Sequence, residues 1–290
     1  MSSVAIVGPG AIGGIVAAWL SKGGHDVTLC ARTPLTDLVI ETPDGPLTAN
    51  PRVLTDPASA QVVDWVLVAT KAYDVEATAP WLARLMGAST RLAVLQNGVE
   101  HIERFRHIVP PERILPVVVD IPANRTGPGR VIQNRYGTMF VPAGTTGDAF
   151  VALFGECPIT VATDRDFISR LWTKLCVNAA GAVPTLTLDA SGAWSDGHER
   201  LTRGLIEECA AVARAEGATI PQIVIETVLK RLRTARPGGL NSMHGDRLAG
   251  RPMEIEARNG VIVRLGRKHG IPTPVSEVIV DLLYAIQPTI

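Results

Sequence analysis

No apolar run in this chain approaches the roughly 20 residues needed to cross a bilayer, so a membrane-spanning helix is not expected. The four cysteines, Cys30, Cys157, Cys176 and Cys209, are scattered. They make no Cys-x-x-Cys and no Cys/His cluster at ligand spacing, which excludes the usual zinc and dithiol arrangements, and no metal is expected. Buried thiols in a reducing, cytoplasmic compartment are the expectation instead. Excess charge of either sign is also missing, since 28 acidic residues balance 28 basic ones. The chain therefore has no general field for nucleic acid or an anionic membrane surface. The first residues carry no basic segment and no cleavage-like site, and lead straight into an apolar run, so they are read as a first strand and not a signal peptide.

What is present is ordinary globular material. The chain has 290 residues, 46% hydrophobic and 19% charged, a length that suggests about two domains. Val4-Ala5-Ile6-Val7 is a short continuous apolar run of the kind a strand buried on both faces shows. Gly8-Pro9-Gly10-Ala11-Ile12-Gly13 follows and fits G-x-G-x-x-G. The first glycine allows a tight turn, the second lets backbone approach a pyrophosphate, and the third lets the next helix pack closely on the strand. An amphipathic helix over about 11–22 would aim its first amides at the phosphates, with Gly23-Gly24 as a stop and a second strand in 26–30. The pattern points to a dinucleotide.

The end of that second strand bears on which dinucleotide is bound. An NAD site places Asp or Glu there to accept from the ribose 2′-hydroxyl. This chain has Cys30-Ala31-Arg32, with no acid until Asp37. A guanidinium suits a 2′-phosphate, so Arg32 points to NADP (NADPH), a solvated loop arginine being the other reading. Residues 33–57 are rich in Pro, Asp, Gly and Thr around Asp44-Gly45 and suggest an irregular hairpin insert. Another buried strand, 65–69, ends in Thr70-Lys71-Ala72-Tyr73. Ligands bind beyond the carboxyl ends of such strands, which places Lys71 to meet cofactor phosphate or substrate. After a helix over about 75–86 and a strand over 91–95, Gln96-Asn97-Gly98-Val99 forms a further strand-end loop. Asn97 is either a site residue or part of a plain turn. Segments 113–120, 130–133 and 138–142 are expected as antiparallel strands at the far edge of the same sheet. Beyond Asp164 the periodicity turns helical, over about 167–188, 199–216, 222–234, 253–269 and 275–286. The boundary falls near Thr163, giving domains 1–163 and 164–290. On the first of those helices Lys174 and Asn178 are four apart, so an amine and an amide share one face of an otherwise apolar helix. A surface lysine beside a helical asparagine would look the same in sequence.

Gly8 to Gly14, Thr70 to Tyr73, Gln96 to Val99, Leu171-Trp172-Thr173-Lys174-Leu175-Cys176-Val177-Asn178, Ser242-Met243-His244-Gly245-Asp246 and Met253-Glu254-Ile255-Glu256-Ala257-Arg258-Asn259-Gly260 occur in the order and spacing of one family. Over nearly its whole length the chain resembles the ketopantoate reductases, or 2-dehydropantoate 2-reductases. The resemblance implies an α/β Rossmann-type N-terminal domain and an all-α C-terminal domain like that of 6-phosphogluconate dehydrogenase. It implies NADPH-dependent reduction of a 2-oxo acid to a 2-hydroxy acid in an inter-domain cleft, in pantothenate biosynthesis, and a possible homodimer. By position, Lys174 resembles the residue that hydrogen-bonds the keto oxygen and supplies the proton, with Glu254 as its charged partner. Ser242 resembles the hydroxyl that holds the substrate carboxylate. Asn97 and Asn178 resemble polar lining of the cleft, and Arg32 and Lys71 cofactor phosphate contacts. Taken alone, Glu254 reads as a helix-start acid and Ser242 as a capping or loop serine.

The chain departs from the family pattern just past Asn178. Where the family commonly has an Asn-Pro pair that binds the hydroxyl end of ketopantoate, this chain has Ala179-Ala180-Gly181-Ala182-Val183-Pro184, and a second asparagine is missing near 191–194. An unpaired substrate hydroxyl costs roughly 1–3 kcal/mol, which leads to the expectation of a 2-oxo acid with a less polar tail. Two other classes stay open. A β-hydroxyacid dehydrogenase also pairs a Rossmann turn with Lys-x-x-x-Asn, against which the Ser242 and Glu254 segments stand. A catalytically inactive NADP(H)-sensing protein is the non-enzymatic alternative.

Overall fold

Val4 to Val7 are apolar on both sides of the strand they form because both faces of that strand are covered. In a computed structural model, which describes residues 1–188, 194–234 and 241–288, β1 (Ser3–Val7) sits inside a six-stranded sheet. Its other members are β2 (Asp26–Cys30), β5 (Arg52–Leu54), β6 (Val63–Val68), β7 (Met86–Val94) and β8 (Ile114–Pro116). The order is β5-β2-β1-β6-β7-β8 and every pairing is parallel. Alternation sorts the side chains by face. Val4, Ile6, Leu29, Trp65, Leu67 and Ala93 join one core, while Ala5, Val7, Cys30, Val66, Val68 and Val94 join the other. Each fully buried aliphatic side chain among them contributes about 1.5–3 kcal/mol.

The helix α1 (Ala11–Lys22) covers the first face and is not amphipathic as expected, since Gly13 to Leu20 are all buried. Its outer side is roofed by a second sheet, ordered β10-β11-β3-β4, made of β3 (Leu38–Thr42), β4 (Gly45–Ala49), β10 (Ala123–Gly127) and β11 (Arg130–Gln133). The Trp19 indole N–H donates to Gln133 Oε1 at 3.1 Å, and its ring meets Tyr136 edge-on at 5.9 Å. The expected hairpin insert is β3–β4, turning at Gly45, whose φ is +112°. On the opposite face lie α2 (Ala79–Leu85) and α3 (His101–Phe105), which contribute Trp81, Leu82, Leu85 and Phe105 to that core.

The expected antiparallel edge is corrected. Only Ile114–Pro116 joins the main sheet, and in parallel. Residues 130–133 complete the roof over α1, which its uniformly apolar surface requires. Residues 138–142 form β12 (Thr138–Pro142), which pairs with β9 (Val118–Asp120) and β13 (Thr160–Asp164) in a third sheet, with α4 (Thr145–Phe154) crossing from β12 to β13.

The chain divides into two compact units, Met1–Phe167 and Ile168–Ile290. The second contains helices α5 (Phe167–Ala180), whose first residue belongs to the first unit, α6 (Ala182–Thr187), α7 (Asp196–Ala215), α8 (Gln222–Arg233), α9 (Ser242–Leu248), α10 (Val261–His269) and α11 (Pro274–Ala285). The single helix expected over 167–188 breaks at Gly181, because Pro184 has no N–H to offer the Ala180 carbonyl. The helix expected from Met253 begins later and opens with a π-helical segment, Glu256–Gly260, that runs into α10. Ala182, Val183, Leu205, Met243, Met253, Ile255, Ile279 and Leu283 form this unit's core. Among the described residues no helix is long and apolar enough to cross a membrane. Of the departure near 191–194, residues 191–193 lie outside the described residues.

Candidate active site

In the N-terminal unit the site begins where β1 ends. Gly8 has φ +94°, and a β-carbon there would come within 2.7 Å of Thr70 Cγ2 and 2.8 Å of the Thr70 amide nitrogen. At Gly13 a β-carbon would run into the Gly8 carbonyl. Packing of the protein on itself thus demands both glycines. Gly10 differs, since a β-carbon there would meet no protein atom within 4 Å. That open space lies over the start of α1, whose N-cap is Gly10, with no side-chain cap and no acidic residue in the first turn. Pro9, Gly10, Ala11 and Ile12 are half-buried around it. Uncapped amides, an uncompensated helix dipole and room for an anion together fit a dinucleotide pyrophosphate. The turn also lies where the strand order reverses between β1 and β6, the position at which open parallel sheets bind ligands.

Arg32 follows β2, is exposed, and makes no hydrogen bond or ion pair with a described residue. The nearest acid in sequence, Asp37, is held by Arg130 at 2.9 Å, and that bond keeps its carboxyl below the usual range. A guanidinium left available with no carboxylate nearby in sequence suits a 2′-phosphate. Lys71 starts the turn after β6, and Asn97 sits in the turn after β7, where Gly98 takes φ +101°. A network missed in the sequence fixes both loops. Gln96 Nε2 donates to Thr70 Oγ1 at 3.0 Å and to the Lys71 carbonyl at 3.1 Å, while Arg104 Nη1 donates to Gln96 Oε1 at 3.3 Å. The His101 Nε2–H donates to the Gln96 carbonyl at 2.8 Å. Burial pushes the His101 imidazole down to about 3, so the ring is neutral.

In the C-terminal unit α5 buries Leu171, Trp172, Leu175, Cys176 and Ala179, and leaves Thr173, Lys174, Val177 and Asn178 half-exposed. Lys174 and Asn178 therefore do share one stripe. Ser242 is exposed at the first position of α9 and is not the cap. The cap is Asn241, whose Oδ1 accepts from the Met243 and His244 amides at 3.0 and 3.1 Å. Its Nδ2 donates to the Gly181 carbonyl at 3.0 Å, tying α9 to the break between α5 and α6. Glu254 is 5% exposed, and its charge acts on Arg258, itself 2% exposed. Arg258 Nη1 donates to Ser242 Oγ at 3.0 Å and Nη2 to the Asn178 carbonyl at 2.6 Å. Asn178, Ser242 and Glu254 are thus gathered around a buried arginine that sequence reasoning passed over inside Met253–Gly260. Its only sequence signal was a charge that lies one helical turn from Ile255, Val261 and Ile262.

A parallel sheet of this order with this glycine turn, joined in one chain to a helical unit that shows a lysine and an asparagine on one stripe, defines a nicotinamide-dinucleotide oxidoreductase of the two-domain kind. Family descriptions for the Ketopantoate reductase PanE/ApbA and its C-terminal part match residues 4–145 and 166–287. A curated 2-dehydropantoate 2-reductase of Caulobacter vibrioides is 50% identical over 287 residues, covering 98% of this chain and 99% of that protein. One from Mycobacterium tuberculosis is 38% identical over 292 residues, covering 98% and 97%. The crystal structure of a PanE/ApbA family ketopantoate reductase from Ralstonia eutropha JMP134 superposes with a TM-score of 0.89 at 31% identity, covering 98% of both chains. The chain belongs to the ketopantoate reductase family. It is an NADP-dependent oxidoreductase that reduces a 2-oxo acid to a 2-hydroxy acid.

Proposed function

We propose that the substrate is ketopantoate, which would place the chain in pantothenate biosynthesis, and that residues of both domains, 1–163 and 164–290, take part in its reduction. The observation that carries the substrate choice is the burial of the residues beyond Asn178. Ala182 and Val183 are 0% and 2% exposed and belong to the helical core. Their apolar character is therefore no measure of how polar the substrate site is, and the expectation of a less polar substrate tail loses its basis. Polar groups from other elements crowd the same corner instead. A β-carbon on Gly181 would lie 2.9 Å from Arg258 Nη2 and 3.2 Å from Asn241 Nδ2. The name carried by the Caulobacter vibrioides relative supports the same choice.

Bound NADPH supplies the hydride. Gly8 to Gly13 and the start of α1 hold the pyrophosphate, Arg32 and Lys71 the other phosphate, and Asn97 lines the site. As charge develops on the keto oxygen, the Lys174 ammonium stabilises it and gives up a proton to it. Glu254 keeps that amine charged before transfer, because a nearby carboxylate raises an amine's affinity for protons while desolvation lowers it. Asn178 and Ser242 orient the oxo acid, Ser242 through the carboxylate. Four cysteines that do not pair with one another, three of them buried, support a cytoplasmic location. A homodimer would cover α11, where Val278, Leu282 and Tyr284 are exposed, and light scattering would test it.

NADPH oxidation with ketopantoate and with 3,3-dimethyl-2-oxobutanoate, which lacks only the hydroxyl, tests the substrate. A kcat/KM at least about tenfold higher for ketopantoate is expected, and equal values would return the case to an apolar-tailed acid. Lys174→Ala should lower kcat by about 10²–10⁴-fold with NADPH affinity kept. Tight NADPH binding by wild type with no turnover of any oxo acid would favour the sensor.

A further inference from the structure

We infer that Arg258 is a positioning residue that turns the Ser242 hydroxyl into a dedicated donor for the substrate carboxylate; the inference rests on the assignment of Ser242 to that carboxylate. The π-helical segment Glu256–Gly260 carries Arg258 inward, and its guanidinium lies beneath an exposed serine. A hydroxyl has one proton to give. Because Ser242 Oγ accepts from Arg258 Nη1 at 3.0 Å, and the Ser242 hydroxyl makes no other hydrogen bond with a described residue, that proton points away from the protein's own acceptors. A hydroxyl that accepts from a cation is also a stronger donor, as chained hydrogen bonds polarise one another.

The second Arg258 contact fixes the other wall. Nη2 donates to the Asn178 carbonyl at 2.6 Å, so the same guanidinium holds the end of α5 in register with α9. Gly181 is the residue that permits this approach, because a β-carbon would stand 2.9 Å from Nη2. Buried charge is expensive unless compensated, and the charges of Glu254 and Asp246 act on the guanidinium. Compensation is incomplete in hydrogen bonds, since Arg258 Nε is buried with no partner. A leucine or methionine would fill this space without leaving an orphan donor, so packing alone does not account for an arginine here. A cation that donates to the serine oxygen does: it strengthens the one proton the serine has left to give to an anion in front of it.

The test compares a 2-oxo acid with its uncharged methyl ester in the NADPH-dependent reaction. Arg258→Met should raise KM for the acid about tenfold or more and lower the acid-to-ester ratio of kcat/KM by a similar factor, while NADPH affinity by fluorescence titration stays within about twofold. In a Ser242→Ala background the same replacement should change the ratio by less than about twofold, because the path through the serine is already gone. Fully additive effects, or an unchanged acid-to-ester ratio in Arg258→Met, would overturn the inference while leaving Ser242 as a carboxylate contact. If Ser242→Ala alone leaves KM and the ratio at wild type, the Ser242 assignment itself fails and takes the inference with it. Should Arg258→Met not fold, Arg258→Gln removes the charge and keeps a polar side chain. The same fall in ratio is expected of it, and a wild-type ratio would refute the inference.

Discussion

Gly8 and Gly13 are locked together: the carbonyl of the first occupies the place where a side chain of the second would begin. Gly10, between them, borders open space. Two glycines of the motif therefore answer to a demand of the fold, and the third answers to none that the described residues make.

Replacement by alanine should separate those demands. Gly13→Ala forces the β1–α1 turn apart and should cost about 1–3 kcal/mol of stability, read as a lower urea midpoint, together with NADPH binding. Gly10→Ala should leave stability within about 0.5 kcal/mol and still weaken NADPH by tenfold or more. An unchanged NADPH affinity in Gly10→Ala would show that the pyrophosphate does not approach this residue.

Arg32 makes no hydrogen bond or ion pair with a described residue, so changing it should alter cofactor choice and little else. In Arg32→Asp the preference of kcat/KM for NADPH over NADH should fall by at least about tenfold, as a charge-assisted phosphate contact is exchanged for repulsion. Melting temperature should not move. A variant that still prefers NADPH as strongly as wild type would mean that the 2′-phosphate is read elsewhere.

His101 gives a pH dependence with a definite sign. Its value in the fold, about 3, lies below the ordinary 6.5 because of burial first and the Arg104 charge second. Between those limits the unfolded chain binds a proton that the folded chain refuses, so stability rises with pH. The contribution is fully present above about 6.5 and drains away as pH falls toward 3, at on the order of 1 kcal/mol per pH unit. Urea unfolding at pH 7, 6, 5 and 4.5 should show wild type losing more stability than His101→Gln, whose side chain does not titrate. Parallel curves would show that the histidine is protonated at no greater cost in the fold than outside it.

The nucleotide-binding half was legible in the sequence because its demands are local. A turn that needs glycine and a strand buried on both faces each leave a mark within a few residues. The sheets beyond Ile114 were not legible, because nothing within 123–142 says that Arg130–Gln133 will pair with Leu38–Thr42 and not with the main sheet. That choice is made by α1, whose outer face is as apolar as its inner one. Lys174 and Asn178 could be placed on one stripe from their spacing alone. Arg258 could not be placed, since the π-helical widening that turns it inward is set by packing and not by a residue pattern. Taken alone Ser242 reads as a capping or loop serine, and the cap is the residue before it, Asn241.

The roof over α1 also sets an order of events during synthesis. Leu38–Thr42 and Gly45–Ala49 can fold against each other as soon as they emerge, but the parallel partner of the first, Arg130–Gln133, comes only after the main sheet's last strand, Ile114–Pro116. Until then one edge of the hairpin has unpaired amides and carbonyls, and the part of the outer face of α1 that β10 and β11 will cover is open. Closing so long a loop is slow relative to local pairing. The nascent chain thus passes through an interval in which an open strand edge and an apolar helix face are exposed side by side, the combination most prone to joining another chain.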